Sequence, residues 1–159
     1  MYSLRKRLSL LAILATSSLC TSNYAFSQIW IEERQRAELP KTLVTGARQK
    51  IVLTYSNQLG NGTTADIVGG QTMSGHYYIS SDTQQTISIN ILSNRDVASI
   101  QLKSFKLKYK GETYNNFPAV GLPSPGNGED VYIGFTAVLE SSAVEGEILP
   151  SYLLDINEE

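Results

Sequence analysis

The sequence is poor in the side chains on which most enzymes and metal sites depend. Its 159 residues contain one cysteine, Cys20, and one histidine, His76. Zinc sites need several thiolate or imidazole ligands, and a hydrolase triad needs a base, an orienting acid and a nucleophile, for which no G-x-S-x-G motif is present. We therefore expect no catalytic, cofactor-binding or metal-binding residue, no cofactor and no enzymatic activity. We interpret His76 as a surface or strand-end histidine.

Carboxylates are spread over turns and strand ends, without a motif that gathers them. Five of them could lie close together at one end of the fold: Asp66, Asp82, Asp96, Glu129 and Asp130. No local pattern supplies the oriented pair that a glycosidase needs. Residues 126–130 offer oxygen ligands but lack the spaced acidic pattern of a calcium loop. A polar turn is the favoured interpretation of this segment.

A long apolar run is also missing, although the first 27 residues have the pattern of a cleavable export signal. Three basic residues at positions 5–7 precede an uncharged stretch at positions 8–20. That stretch is too short for a stable membrane span, which needs about 20 residues. The sequence Ala25-Phe26-Ser27 predicts cleavage before Gln28, with cleavage after Ala25 as the alternative. Lipidation of Cys20 and a membrane anchor are the disfavoured alternatives, and we expect the protein in the periplasm, at the cell surface or outside the cell.

Basic residues are absent from the last 49 residues of the chain. Lys110 is the last of them, and nine acidic residues follow it. Removal of residues 1–27 takes away three of the 13 basic residues and none of the 15 acidic ones, which leaves a net charge of 10 − 15 = −5. This charge disfavours nucleic acid as a partner. The acidic end predicts a solvated surface, and the alternative is charge pairing with the lysine-rich strand of another copy.

Alternation of period two dominates the rest of the sequence, and turn residues interrupt it about every ten residues, which is typical of a β-sandwich or barrel. We predict one β-sandwich domain over residues 46–159. The clearest strand covers residues 130–140, and its inward residues are Val131, Ile133, Phe135, Ala137 and Leu139. Strands over residues 85–92 and 105–110 have Ile87, Ile89, Ile91 and Phe105, Leu107, Tyr109 on their inward faces. Other strand candidates cover residues 50–56, 75–80 and 147–156.

Three local features add to this pattern. The alternation slips near Lys103 and Ser104, which predicts a β-bulge or sharp bend. Residues 28–45 form an N-terminal arm, in which residues 32–39 are compatible with a short helix or with a charged extension. Tyr78 and Tyr132 point outward from their predicted strands, where tyrosines can stack on sugars or contact partners.

Three segments share their pattern with a known family. They are residues 74–80 (SGHYYIS) continued by 86–89 (TISI), residues 130–139 (DVYIGFTAVL), and Gly146 followed by Tyr152, Leu154 and Ile156. They resemble the patterns sG-x-f-x-v-x-G, l-x-v-G-g-t-l-x-v and G-x-Y-x-G-x-x-x-v-x-v of exported bacterial domains of unknown function that are found near fimbrial genes. The similarity extends over residues 50–157.

This resemblance implies an immunoglobulin-like, pilin-like antiparallel β-sandwich with a structural or adhesive role, and with other copies or fimbrial subunits as partners. Two features differ from chaperone-assembled fimbrial subunits. Glu158 stands where those subunits usually have a penultimate tyrosine, and the apolar alternation of the arm fades after Ile29 and Ile31. The alternative function is a monomeric secreted module that binds a host or surface glycan or a protein.

Overall fold

The computed structural model describes residues 28–43, 45–94, 100–141 and 150–159. The predicted signal peptide, Asp96 and residues 146–149 lie outside the described residues. The described chain is all-β and contains no helix, and so no helix able to span a membrane. Its eleven strands are β1 (Ile29–Gln35), β2 (Lys41–Thr42), β3 (Gln49–Leu53), β4 (Ile67–Gly69), β5 (Gly75–Ser81), β6 (Ile87–Ser93), β7 (Ile100–Tyr109), β8 (Glu112–Tyr114), β9 (Ala119–Leu122), β10 (Glu129–Leu139) and β11 (Tyr152–Glu158).

Two antiparallel sheets face each other across one core. The larger sheet has the order β1-β5-β10-β7-β8, and β3 pairs with the second half of β10 beyond the end of β5. The smaller sheet has the order β11-β6-β9, and β2 and β4 form a separate pair. Buried side chains from the larger and the smaller sheet form a single hydrophobic cluster. The predicted all-β, antiparallel sandwich is confirmed.

Most of the core consists of residues that the alternation placed inward. The five inward residues of β10 are at most 1% exposed, and those of β6 and β7 are also buried. Burying one such side chain stabilises the folded state by about 1.5–3 kcal/mol. The same strands turn their polar residues outward, so the alternation fixes which face of each sheet meets the solvent.

The predicted slip in the alternation is a β-bulge on β7. Ser104 has a φ of 50°, and the register of β7 against β10 shifts at this position. Ser104 and Phe105 together face the single residue Phe135. Because the bulge inserts one extra residue, Leu102 before it and Phe105 after it both point into the core.

The N-terminal arm forms a strand of the domain's own larger sheet. β1 pairs with β5 from Ile29 opposite Ser81 to Gln35 opposite His76. The helical alternative for residues 32–39 is therefore wrong up to Gln35, because backbone pairing with the edge of β5 overrides the local preference. Apolar alternation is weak here because β1 is an edge strand with little burial on either face, and Trp30 is 47% exposed.

The C-terminal strand lies at the edge of the smaller sheet. β11 pairs with β6, from Tyr152 opposite Ser93 to Glu158 opposite Ile87, and Pro150 lies just before it. Proline cannot donate a ladder hydrogen bond, so Pro150 is compatible with the start of an edge strand. The sequence pattern does not reveal β2, β4, β8 and β9, because strands of two to four residues are too short to show a period.

Candidate functional site

The register of the larger sheet gathers aromatic and charged side chains on its outer face. Residues opposite each other in an antiparallel sheet point to the same face. Asp130 of β10 lies opposite Tyr78 of β5, and Tyr132 lies between His76 of β5 and Lys108 of β7. With two further residues that contact them, these side chains form a surface that we call the outer platform: Arg34, Tyr55, His76, Tyr78, Lys108, Asp130 and Tyr132.

His76 occupies the centre of the outer platform and contacts β10 twice. Its Nε2 atom lies 2.8 Å from Oδ1 of Asp130. Its ring stacks on Tyr132, with centroids 4.4 Å apart and planes inclined by 18°. The side chains of His76 and Asp130 are 21% and 44% exposed, so both remain accessible to a ligand. His76 is the second residue of β5, which agrees with a position near a strand end.

Tyr78 lies beside this pair and connects β1 to the loop between β9 and β10. The Arg34 guanidinium lies over the Tyr78 ring, 4.2 Å from its centroid. The Tyr78 hydroxyl donates a hydrogen bond to the carbonyl oxygen of Asn127 at 3.1 Å. Gly128 makes room for it, since a Cβ atom at this residue would overlap the Tyr78 hydroxyl. Tyr78 is therefore held from both ends, with the outward orientation that its strand position predicts.

The second aromatic–cation pair of the platform depends on Gly134. The Lys108 ammonium lies 5.6 Å from the centroid of the Tyr55 ring. Tyr55 reaches this face because the chain after β3 passes closely over β10. A Cβ atom at Gly134 would lie 2.6 Å from the carbonyl oxygen of Leu53 and 2.8 Å from the Tyr55 nitrogen. Only glycine permits this approach without a shift of the backbone.

The loop of residues 123–128 borders the platform and is held by several hydrogen bonds. Pro123 accepts a bond of 2.6 Å from the buried Tyr109 hydroxyl, and Ser124 accepts one of 2.7 Å from the Lys110 ammonium. The carbonyl oxygen of Gly126 accepts a bond from the backbone N–H of Ser81. These hydrogen bonds give the loop a fixed position beside Tyr78.

Apart from the outer platform, a concave region lies between β1 and β11, at the edges of the two sheets. It is a groove of about 400 Å³, lined partly by Ile31, Arg36 and Leu153. Within it the Tyr77 hydroxyl lies 3.3 Å from Oε1 of Glu33 and 3.3 Å from the Tyr152 hydroxyl. Burial raises the pKa of Tyr77 and raises that of Tyr152 further. Both hydroxyls therefore stay protonated near neutral pH and bridge the two sheets.

The acidic C-terminus contributes to the domain's own structure. Oε1 of Glu158 accepts hydrogen bonds from the Ser81 hydroxyl at 2.8 Å and the Thr83 hydroxyl at 2.7 Å. Oε2 of Glu159 accepts one from the backbone N–H of Gly121 at 2.8 Å. The position that differs from fimbrial subunits thus has a local role, since Glu158 fastens β11 to the turn after β5.

The chemistry available on the platform is recognition by stacking, hydrogen bonding and charge. Of the five carboxylates that the sequence left open, Asp130 bonds to His76 and Asp82 accepts a bond from the Gln28 N–H. In the described part of the chain, no three histidine, cysteine or acidic residues form a group that could hold a metal ion.

The alternation in the sequence predicts the outward tyrosines singly but not the group to which they belong. Arg34 lies in the predicted arm and Tyr55 in a predicted strand over residues 50–56, and neither position indicates the contact with Tyr78 or with Lys108. Asp130 and His76 are 54 positions apart, and only the β5–β10 register joins them. Comparison of the chain with protein-family models, with curated proteins and with solved structures finds no match.

Proposed function

We propose that this chain is an exported, non-catalytic binding protein with an adhesive role, and that its outer platform binds carbohydrate. The observation that carries the proposal is the stack of His76 on Tyr132, flanked by Asp130 and Lys108 on adjacent strands. Aromatic rings offer an apolar surface with a polar rim, which suits the mixed faces of a sugar ring. Asp130 accepts hydrogen bonds from hydroxyl groups, and Lys108 donates them.

Preorganisation supports the same proposal. Each aromatic ring of the platform already has a partner that restricts its rotamers: Tyr132 has His76, Tyr78 has Arg34, and Tyr55 has Lys108. A ligand therefore orders few side chains when it binds, which lowers the entropic cost of association by about 0.5–1.5 kcal/mol for each side chain already held. The surface extends over neighbouring strands, so an extended glycan chain fits it better than a single small molecule.

A glycan array tests the proposal. The mature chain is compared with Tyr132→Ala, which removes one half of the central stack, and with Val120→Ala as the control. Val120 lies on β9 of the opposite sheet and is 62% exposed. We expect binding to a defined set of glycans, a loss of tenfold or more for Tyr132→Ala, and wild-type binding for Val120→Ala. An array without any bound glycan contradicts the proposal, as does binding that Tyr132→Ala leaves unchanged.

Fibre formation of the kind implied by the fimbrial resemblance is a second candidate function. Each of β1 and β11 has one strand partner among the described residues, so each offers a strand edge to another copy. Donation of the arm to a neighbouring copy has less support, because β1 already pairs with β5 of its own domain. Sedimentation of the mature chain at increasing concentration tests this candidate, and a monomer at every concentration contradicts it.

A further inference from the structure

Positive charge is concentrated on the outer face of the larger sheet. The strand register and the contact of Arg34 with Tyr78 place five basic side chains there, which we call the basic face: Arg34, Lys50, Lys103, Lys106 and Lys108. Lys103, Lys106 and Lys108 lie on β7, where the bulge at Ser104 keeps all three on one side. The basic face therefore includes the platform and extends beyond it along β7 and β3.

The carboxylates of this face are already engaged. Glu32 lies 3.6 Å from Arg34, and Asp130 bonds to His76 at 2.8 Å. No carboxylate oxygen of the described residues lies within 4.0 Å of the ammonium nitrogen of any of the four lysines. With Glu32 and Asp130 counted against the five basic residues, the face has a formal charge of 5 − 2 = +3.

The opposite sheet has the opposite sign. Strands β6, β9 and β11 contain Asp155 and Glu158 and no lysine or arginine. After residue 27 the sequence has ten basic and fifteen acidic residues, a net charge of 10 − 15 = −5. The positive field of the basic face is therefore a local feature of one sheet in an acidic protein, which is the arrangement that steers an anionic ligand to one surface.

We propose that the ligand of the outer platform is an anionic polysaccharide, with carboxylate or sulfate groups along its chain. This inference rests on the proposed function of the platform. Alternate residues on one strand are about 7 Å apart, and neighbouring strands are about 4.8 Å apart. Lys106 and Lys108 thus form a row beside Tyr132, and a linear polymer with regularly spaced charges meets several lysines while one sugar contacts the aromatic stack.

Two other anionic partners fit the surface less well. A DNA phosphate backbone gains from the lysines but has no hydroxyl groups that donate hydrogen bonds to Asp130 or Glu32, whereas the sugar hydroxyls of a polysaccharide donate to both carboxylates. The acidic end of a second copy is a poor match because Glu158 and Glu159 already accept hydrogen bonds inside their own domain.

The test compares four polymers on the mature chain: dextran sulfate, neutral dextran, polygalacturonate and a DNA duplex. Lys106→Gln removes one charge from the basic face, and Lys41→Gln removes one from an exposed position on β2 as the matched control. We expect binding to dextran sulfate and polygalacturonate, which weakens at least tenfold between about 50 and about 200 mM NaCl. Lys106→Gln weakens this binding about three- to tenfold and lowers the salt slope by about one, whereas Lys41→Gln changes neither.

The inference is overturned if Lys106→Gln and Lys41→Gln have equal effects on binding. It is also overturned if neutral dextran binds as tightly as the anionic polysaccharides, or if DNA binds more tightly than either of them. Lysine-dependent association of copies without polysaccharide binding also overturns it. The glycan array separates this failure from a failure of the proposed function. Binding that depends on Tyr132 but is confined to neutral glycans refutes the anionic ligand alone, whereas an array with no bound glycan refutes both.

Discussion

The imidazole Nε2 of His76 and the carboxylate Oδ1 of Asp130 lie 2.8 Å apart across two neighbouring strands, although the residues are 54 positions apart in the sequence. They do not lie directly opposite each other, because His76 faces Tyr132 and Asp130 faces Tyr78 in the β5–β10 register. The bond is thus a diagonal contact between adjacent cross-strand pairs. It fixes the ring that stacks on Tyr132, so this contact organises the centre of the outer platform.

A double-mutant cycle measures this relationship. We expect an interaction energy of about 0.5–1 kcal/mol between His76→Ala and Asp130→Ala in urea unfolding near neutral pH, because both side chains are partly exposed. Ser80→Ala, a nearby outward position on β5, replaces His76→Ala in the control cycle. Strict additivity of His76→Ala and Asp130→Ala contradicts the contact.

Gly134 provides a test of the close approach between β3 and β10. Gly134→Ala places a Cβ atom 2.6 Å from the carbonyl oxygen of Leu53, and the strand must move to relieve this overlap. We expect a loss of about 2–3 kcal/mol in the free energy of unfolding. Thr136→Ala, at the next outward position of β10, loses less than about 1 kcal/mol. Urea unfolding followed by circular dichroism measures both, and equal stability of Gly134→Ala and wild type contradicts the geometry.

Alkaline pH tests the buried tyrosines. Burial raises the pKa of Tyr109 and Tyr152 above the ordinary value of 10.0. As the pH rises, the unfolded chain therefore loses these protons before the folded chain does. The contribution of the two tyrosines to the free energy of unfolding is complete below pH 10 and decreases as the pH rises through and beyond this value. We expect the melting temperature to decrease between pH 9 and pH 11.5, and Tyr152→Phe to decrease less steeply. A melting temperature independent of pH over this interval contradicts the burial of the two hydroxyls.

The sequence determines the core of this fold more clearly than its edges. The inward residues of β6, β7 and β10 alternate strictly, and even the bulge at Ser104 is visible as a change of parity. β1 is not visible in this way, because an edge strand exposed on both faces carries no alternation. The charged residues of β1 are also compatible with the start of a helix. Only the tertiary structure shows that β5 has an open edge with which β1 pairs.

The candidate site is likewise only partly predictable from the sequence. Alternation along single strands places Tyr78 and Tyr132 outward, but their neighbours depend on which strands pair and in which register. Arg34 reaches Tyr78 only because β1 joins β5. Tyr55 reaches Lys108 only because Gly134 lets the chain after β3 cross β10. These contacts join residues that are distant in the sequence, and local hydrophobic periodicity carries no information about such pairs.

Chemical-shift mapping tests most directly whether the outer face of the larger sheet is the binding surface. The labelled mature chain is titrated with the glycan that gives the strongest array signal, and backbone amide shifts are followed for both sheets. We expect the largest shifts at His76, Tyr78, Lys108 and Tyr132, with residues of β9 and β11 unchanged. Shifts confined to the smaller sheet, or to the groove between β1 and β11, contradict the assignment of binding to the outer platform.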